Sequence, residues 1–263
     1  MTEILDDAGL DPAVPADRPA EPRRWWGRPL AEVRWQAELG RLLMDPVFRG
    51  EDVPRGHGMP VLLMPGFLAG DMSLGVLSGW LERMGYGPHG SGMVFNVDCS
   101  NRALERLDAR LADIHERTGR RVALIGHSRG AHFAKALAHR RPDRVSRVVS
   151  LGAGLDTPFD ISVPTKGALA AVRSVHHATD RDMRDRGCFT HECTCNFAHD
   201  YAGEFPAEVP LTSIYSRGDG VVRWQACVVP YAECVEVSGS HVGLAFNRKA
   251  YRAVAEALAA MPS

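Results

Sequence analysis

The sequence predicts an α/β fold in which a mostly parallel β-sheet is flanked by helices. Short apolar runs, such as residues 61–64 (VLLM) and 122–125 (VALI), are typical of strands buried on both faces. These runs alternate along the chain with segments whose apolar residues recur every three or four positions, as in amphipathic helices. With 263 residues, 45% of them hydrophobic, the chain is long enough for one large domain.

The predicted elements follow one another from residue 30 to residue 260. The predicted helices are residues 30–44, 71–84, 101–118, 131–139 and 247–260. The predicted strands are residues 61–64, 93–97, 122–125, 145–151, 211–215 and 234–237. The helix over 101–118 is the clearest, because Asn101 is a suitable N-cap and Gly119 stands just past its end.

Two segments do not follow this rhythm. Residues 1–24 contain four prolines and little apolar periodicity, so we expect a flexible N-terminal arm followed by a single domain over residues 25–263. Residues 153–210 are too long for a connection in a compact α/β unit. We expect them to form a small subdomain or a cap within that domain.

The composition excludes some classes of function. The 31 basic and 32 acidic residues give a net charge of −1, so no overall basic field favours nucleic acid. The sequence contains no run of 18 or more apolar residues, so it predicts no transmembrane helix. The first residues lack the basic and apolar regions of a secretory signal, so we expect a cytoplasmic chain. The sequence predicts no oligomeric state.

The motif Gly126-His127-Ser128-Arg129-Gly130 directly follows the apolar run 122–125 and begins a predicted helix. In this context the pattern G-x-S-x-G predicts a sharp turn that holds a nucleophilic serine at the carboxyl edge of the sheet. Side chains at positions 126 and 130 would clash with the neighbouring helix and strand. Ser128 is therefore the candidate nucleophile.

A serine hydroxyl needs a base, and the base needs a carboxylate that orients it. Asp219 follows the predicted strand 211–215, and His241 follows the predicted strand 234–237, so both are expected at the same edge as Ser128. The rival acids are Asp156 and Asp98. The rival histidines are His127, His176, His177, His191 and His199.

Acyl transfer also requires two backbone N–H donors for the oxyanion. Arg129 follows the nucleophile, and Phe67 lies in the loop Pro65-Gly66-Phe67-Leu68 after the first strong strand. We expect the oxyanion hole to consist of the N–H groups of Phe67 and Arg129.

Taken together, GHSRG after VALI, PGF after VLLM, the Asp219 loop and GSHVGL before the last helix resemble the α/β-hydrolase superfamily. Within it, the pattern is similar to the bacterial serine lipase and esterase branch, over about residues 57–260. The resemblance implies an eight-stranded, mostly parallel sheet, a Ser128–His241–Asp219 triad and a lid at residues 153–210. Ala131 and Arg129 depart from the usual pattern of these lipases and leave the shape and polarity of the acyl pocket open.

The favoured function is a serine hydrolase that cleaves carboxylic esters of small molecules, lipids included, through an acyl-enzyme, without a metal or an organic cofactor. Two alternatives remain. The same triad could transfer the acyl group to another acceptor or cleave thioesters, and a non-catalytic binding protein could retain the fold.

The cysteines allow several interpretations. The spacing of Cys188, Cys193 and Cys195, near His191 and His199, fits no common zinc finger. Free thiols are the simplest interpretation. A disulfide within the insertion, or between it and Cys227 or Cys234, remains open.

Overall fold

A parallel β-sheet forms the centre of the molecule. The structure is a computed structural model that describes residues 25–179, 189–190 and 192–260. The predicted arm over residues 1–24, together with Cys188 and His191, lies outside the described residues. The described part contains one sheet of six strands in the order β2-β1-β3-β4-β5-β6, and all neighbouring strands are parallel. The resemblance implied eight strands, and this count is wrong for the described residues.

Five of the six predicted strands are confirmed. The strands are β1 Pro60–Met64, β2 Gly87–Gly90, β3 Val122–His127, β4 Val145–Leu151, β5 Leu211–Tyr215 and β6 Glu233–Glu236. The carboxyl ends of β1, β3, β5 and β6 point to one edge of the sheet, because all strands run in the same direction. Phe67, Ser128, Asp219 and His241 each follow one of these ends.

The predicted strand over residues 93–97 is wrong. Val94 and Phe95 are 78% and 67% exposed, whereas Met93 packs in a core, and the run does not enter the sheet. Asn96 instead exchanges backbone hydrogen bonds with Leu68 and Ala69 in the loop after β1. The edge strand β2 has the sequence GPHG, which carries no apolar pattern and pairs with β1 through its backbone.

The five predicted helices are confirmed to within a few residues, apart from 3-10 turns at the start of two of them. The helices are α1 Trp35–Met44, α2 Pro46–Arg49, α3 Gly75–Arg83, α4 Ser100–Thr118, α5 Arg129–Arg140, α6 Val163–Thr179, α7 Asn196–Ala202 and α8 Arg248–Ala259. Of these, α2, α6 and α7 have no counterpart among the predicted ranges. Short 3-10 segments precede α1 and α3, at Pro29–Arg34 and Asp71–Leu74. Cys99, not Asn101, is the N-cap of α4, whereas Gly119 ends that helix in the left-handed region at φ 62° as predicted.

Two hydrophobic cores cover the two faces of the sheet. Alternate residues of β1 enter different cores, because side chains of a strand alternate between its faces. Val61 and Leu63 pack in the core that contains the fully buried Trp80 of α3, while Leu62 and Met64 pack in the core formed with α4 and α5. The sheet is therefore buried on both sides, as the apolar runs predict.

Crossing a lipid bilayer requires a helix of greater length and more apolar character than any helix in the described part of the chain.

Candidate active site

The turn between β3 and α5 places Ser128 in a strained backbone conformation, with φ 52° and ψ −124°. A Cβ at position 126 would lie 2.3 Å from the backbone nitrogen of Ala131 in α5. A Cβ at position 130 would lie 2.1 Å from the carbonyl oxygen of Met64 in β1. Both positions thus require glycine, as the motif predicts, and Ser128 lies on the wall of a cavity at the sheet edge.

The structure brings Asp219 and His241 together. Nδ1 of His241 lies 2.7 Å from Oδ2 of Asp219, and both residues are 5% exposed. Oδ1 of Asp219 accepts hydrogen bonds from the backbone N–H groups of Val221 and Val222, both at 2.8 Å. These bonds fix the carboxylate, so that the imidazole donates from Nδ1 and keeps Nε2 for another partner.

The charge around His241 favours its protonated form. Burial opposes protonation, but the carboxylate of Asp219 and the charge of Glu32 outweigh it and raise the pKa of His241 above its ordinary value of 6.5. The residue is therefore a stronger base than an isolated imidazole. An imidazole with a raised pKa is well suited to accept a proton from a neighbouring hydroxyl group.

His127, which immediately precedes Ser128, contacts His241. Its Nε2 donates a hydrogen bond to the carbonyl oxygen of His241 at 2.9 Å, and the two rings lie 4.9 Å apart. Burial, with the neighbouring charge of His241, lowers the pKa of His127 to about 4. His127 therefore stays neutral and holds the backbone of His241 beside the elbow, a role that the sequence did not reveal.

His241 contacts His127, the residue that precedes Ser128 in the chain. Among the residues that the structure describes, no hydrogen bond joins Ser128 Oγ to His241 Nε2. Such bonds often tighten only in the complex with substrate. A Cβ at Gly152, just after β4, would lie 3.2 Å from Oδ2 of Asp219 and 3.3 Å from Nδ1 of His241. The backbone after β4 is therefore packed closely against the Asp219–His241 pair.

The predicted oxyanion residues lie beside the nucleophile. A Cβ at Gly66 would lie 3.2 Å from Cβ of Ser128, which places the loop after β1 against the elbow. Phe67 and Arg129 both contribute to the cavity wall at Ser128. Among the described residues, the N–H of Phe67 has no hydrogen-bond acceptor.

The side chain of Arg129 braces the loop that follows residue 95. Its guanidinium donates to Asn96 Oδ1 at 2.7 Å, to the carbonyl of Asp98 at 2.7 Å and to Ser100 Oγ at 3.0 Å. Asn96 in turn donates from Nδ2 to the carbonyl of Pro65 at 2.8 Å. Arg129 is therefore linked to the loop after β1 through Asn96, and its charge is used in protein contacts.

The cavity at Ser128 has a volume of about 320 Å³. Most of its wall is apolar, and the segment over residues 153–210 supplies a large part of it. The apolar residues from that segment include Pro158, Phe159, Ile161, Leu169, Phe189, Phe197 and Ala198. Burial and the charges of Arg129 and Lys135 lower the pKa of His132, which also lines the cavity, to about 3. That imidazole is neutral at physiological pH.

The family model described as alpha/beta hydrolase fold matches residues 97–182, which include the elbow. Two solved structures share most of the architecture. The mature lipase BlEst2 of Bacillus licheniformis aligns with a TM-score of 0.50 and 14% identity, over 79% of this chain and 94% of the lipase.

The chain has the α/β-hydrolase fold. The pyrethroid hydrolase PytH aligns equally well, with a TM-score of 0.50 and 18% identity, over 78% of this chain and 98% of that protein. A search of curated proteins finds no match. The predicted resemblance to the α/β-hydrolase superfamily is thus confirmed at the level of the fold.

Asp156 and Asp98, the two rival acids, have partners other than His241. Asp156 accepts hydrogen bonds from Lys135, at 2.9 Å, and from Tyr231. Asp98 pairs with Arg102 and Arg106, at 3.0 and 2.7 Å. Only Asp219, among these carboxylates, contacts His241.

Apart from His127, the rival histidines that the structure describes lie elsewhere. Nε2 of His176 bonds to the carbonyl of Val97 at 2.8 Å. His177 is exposed, and Nδ1 of His199 lies 3.5 Å from Asp200. None of these described residues contacts Asp219.

The cysteines of the β5–β6 region are free thiols. Sγ of Cys227 lies 3.8 Å from the carbonyl of Arg223, and Sγ of Cys234 lies 3.5 Å from that of Ala232. Neither residue therefore forms the disulfide with the insertion that the sequence left open. Sγ of Cys193 and Sγ of Cys195 lie 3.1 Å apart.

We predict that Gly130→Ala destabilises the fold, because the new methyl group would overlap the carbonyl of Met64. The expected loss in unfolding free energy is about 2 kcal/mol, measured by urea denaturation. Gly79→Ala in α3 is the matched control, since a Cβ there meets nothing closer than 3.9 Å. The control should gain up to about 1 kcal/mol from helix propensity. Equal stabilities of the two variants would contradict the packing of the elbow.

Proposed function

We propose that this chain is a serine hydrolase that cleaves carboxylic esters with hydrophobic acyl groups. The observation that carries the proposal is the buried Asp219–His241 pair next to the Ser128 elbow. Ser128, His241 and Asp219 are the proposed catalytic residues.

The proposed reaction begins with attack of Ser128 Oγ on the ester carbonyl. Nε2 of His241 takes the hydroxyl proton and later delivers it to the leaving alcohol, while Asp219 stabilises the imidazolium. The N–H groups of Phe67 and Arg129 bind the oxyanion. Water then attacks the acyl-enzyme with the same base. This sequence of steps needs no metal or organic cofactor.

The cavity supports a hydrophobic acyl group. The cavity wall is mostly apolar, and the imidazole of His132 that lines it is neutral. The guanidinium of Arg129 is hydrogen-bonded to Asn96, Asp98 and Ser100. An anionic acyl chain would find no free cation among these residues. We therefore propose an uncharged small-molecule or lipid ester as the substrate.

We assign to the segment over residues 153–210 the role of a lid within a single domain over residues 25–263. Helices α6 and α7 of this segment contribute Leu169 and Ala198 to the wall of the cavity at Ser128. The two structures with TM-scores of 0.50 bear the names of a lipase and a pyrethroid hydrolase, both hydrolases, which is consistent with the proposal.

Ser128→Ala should reduce kcat for p-nitrophenyl esters by at least about 10⁴-fold, because the nucleophile is lost. The melting temperature should not change, since only a hydroxyl group is removed. Ser174→Ala, at an exposed position of α6, is the control and should retain full activity. Turnover of Ser128→Ala near that of the unchanged protein would exclude this mechanism. Release of the acyl group only to an added alcohol or thiol would instead identify an acyltransferase.

Asp219→Asn should lower kcat by about 10⁴-fold, because the amide no longer stabilises the imidazolium. The pKa of His241 is raised in part by the charge of Asp219. Activity is lost as the pH falls through that pKa, so the acid limb of kcat/KM should move to lower pH in this variant. Asp156→Asn is the control. If Asp156→Asn abolished activity and Asp219→Asn did not, the assignment of the acid would be wrong.

Ala198→Phe should narrow the cavity and lower kcat/KM for octanoyl esters relative to acetyl esters by about tenfold or more. The measurement is a series of p-nitrophenyl esters of increasing chain length. Ala170→Phe, at an exposed position of α6 outside the cavity wall, should leave the ratio unchanged. If the ratio of kcat/KM for octanoyl and acetyl esters fell equally in both variants, or fell in neither, the acyl group would bind outside this cavity.

A further inference from the structure

The first described segment of the chain, residues 25–44, contacts both loops that carry the Asp219–His241 pair. We define this segment as the N-terminal strap; it contains the 3-10 turn Pro29–Arg34 and helix α1. The strap lies about 200 residues away in sequence, so its contacts are invisible to local patterns. Two of its carboxylates are turned toward the triad loops.

The carboxylate of Glu32 accepts hydrogen bonds from three backbone N–H groups of these loops. Oε1 accepts from Gly220 N–H at 2.9 Å and from His241 N–H at 3.1 Å, and Oε2 accepts from Val242 N–H at 2.8 Å. One carboxylate thus joins the residue after Asp219 to the backbone of His241. Hydrogen bonds to an ionised acceptor are stronger than those between neutral groups.

Glu38 holds the residue that precedes His241. Its Oε1 accepts from Ser240 N–H at 3.0 Å, and its Oε2 accepts from Ser240 Oγ at 3.1 Å. Glu38 is 7% exposed. A Cβ at Gly243 would lie 1.3 Å from Oε2 of Glu38, so the loop closes around this carboxylate without space for a side chain.

The backbone of the strap is attached to the same region. Arg28 N–H donates to the carbonyl of Gly220 at 3.2 Å, and the carbonyl of Trp25 accepts from Val163 N–H at 2.8 Å. A Cβ at Gly27 would lie 2.1 Å from the carbonyl oxygen of Gly220. The strap is therefore packed in direct backbone contact with the Asp219 loop.

We infer that Glu32 is a positioning residue of the proposed triad, which sets the geometry and the charge of His241 from outside the cavity, with Glu38 anchoring the adjoining backbone. This inference rests on the proposed function. Glu32 does not line the described cavity, and its contact with the proposed triad is the hydrogen bond from the backbone N–H of His241.

The electrostatic part of the inference follows from the groups that face His241. These are Asp219 after β5, His127 at the end of β3, and Glu32 in the strap, with Glu38 one residue further away. His127 is neutral, so the charges nearest the imidazole are two carboxylates. The negative charge of Glu32 raises the pKa of His241 and stabilises the imidazolium that forms during proton transfer.

Glu32→Gln tests the inference. The variant removes the charge and places an NH₂ donor against an N–H group of the loop, so that the backbone bond of His241 or Val242 is weakened. We expect kcat for p-nitrophenyl esters to fall roughly 10- to 100-fold with KM unchanged, because the base is misplaced while the cavity stays intact. The acid limb of kcat/KM should move to lower pH. Glu51→Gln, at an exposed position beside Arg49, is the control and should change neither.

A second readout is independent of turnover. The ¹⁵N resonances of the His241 ring, assigned by their absence in His241→Ala, are titrated in the unchanged protein and in Glu32→Gln. A lower pKa in the variant supports the inference even if the chain hydrolyses no ester, in which case only the proposed function fails. An unchanged His241 pKa, or an active variant with unchanged kcat and acid limb, would overturn the inference.

Discussion

The packing of α5 against β3 and β1 is the constraint on which the site depends. A Cβ at position 126 or 130 would overlap the backbone of a neighbouring element, so the chain passes from strand to helix over glycines. The intervening Ser128 is thereby forced to φ 52° at the edge of the sheet. The energy of this backbone strain is small compared with the free energy gained by burying the apolar side chains that hold β3 and α5 in place. The position of Ser128, the proposed nucleophile, is thus fixed by backbone packing.

The proposed base, His241, is held by a buried carboxylate. An imidazole as buried as His241 resists protonation, and the carboxylate of Asp219 reverses that preference. The carboxylate itself is held by two backbone N–H groups, and the loop of His241 by Glu32, Glu38 and His127. The loop of His241 is thus bonded both to the N-terminal strap and to the end of β3.

The sequence predicts what depends on local pattern and fails where distant contacts decide. The strands 145–151 and 211–215 were predicted to the residue, since their apolar runs are buried on both faces. The run 93–97 has the same pattern but does not enter the sheet, and the true edge strand, GPHG, carries no apolar signal. The positions of Ser128, Asp219 and His241 after strand ends could be predicted. The roles of His127 and Glu32 could not, because their partners are more than 100 residues away.

The structure of a fluorophosphonate adduct would test the central claim most directly, namely that Ser128, His241 and Asp219 act together as one catalytic unit. The account predicts a bond from phosphorus to Ser128 Oγ and a phosphoryl oxygen about 3 Å from the amide nitrogens of Phe67 and Arg129. It also predicts His241 Nε2 within hydrogen-bond reach of the bridging Ser128 Oγ. An adduct on another residue, or on Ser128 with His241 turned away from it, would contradict the account.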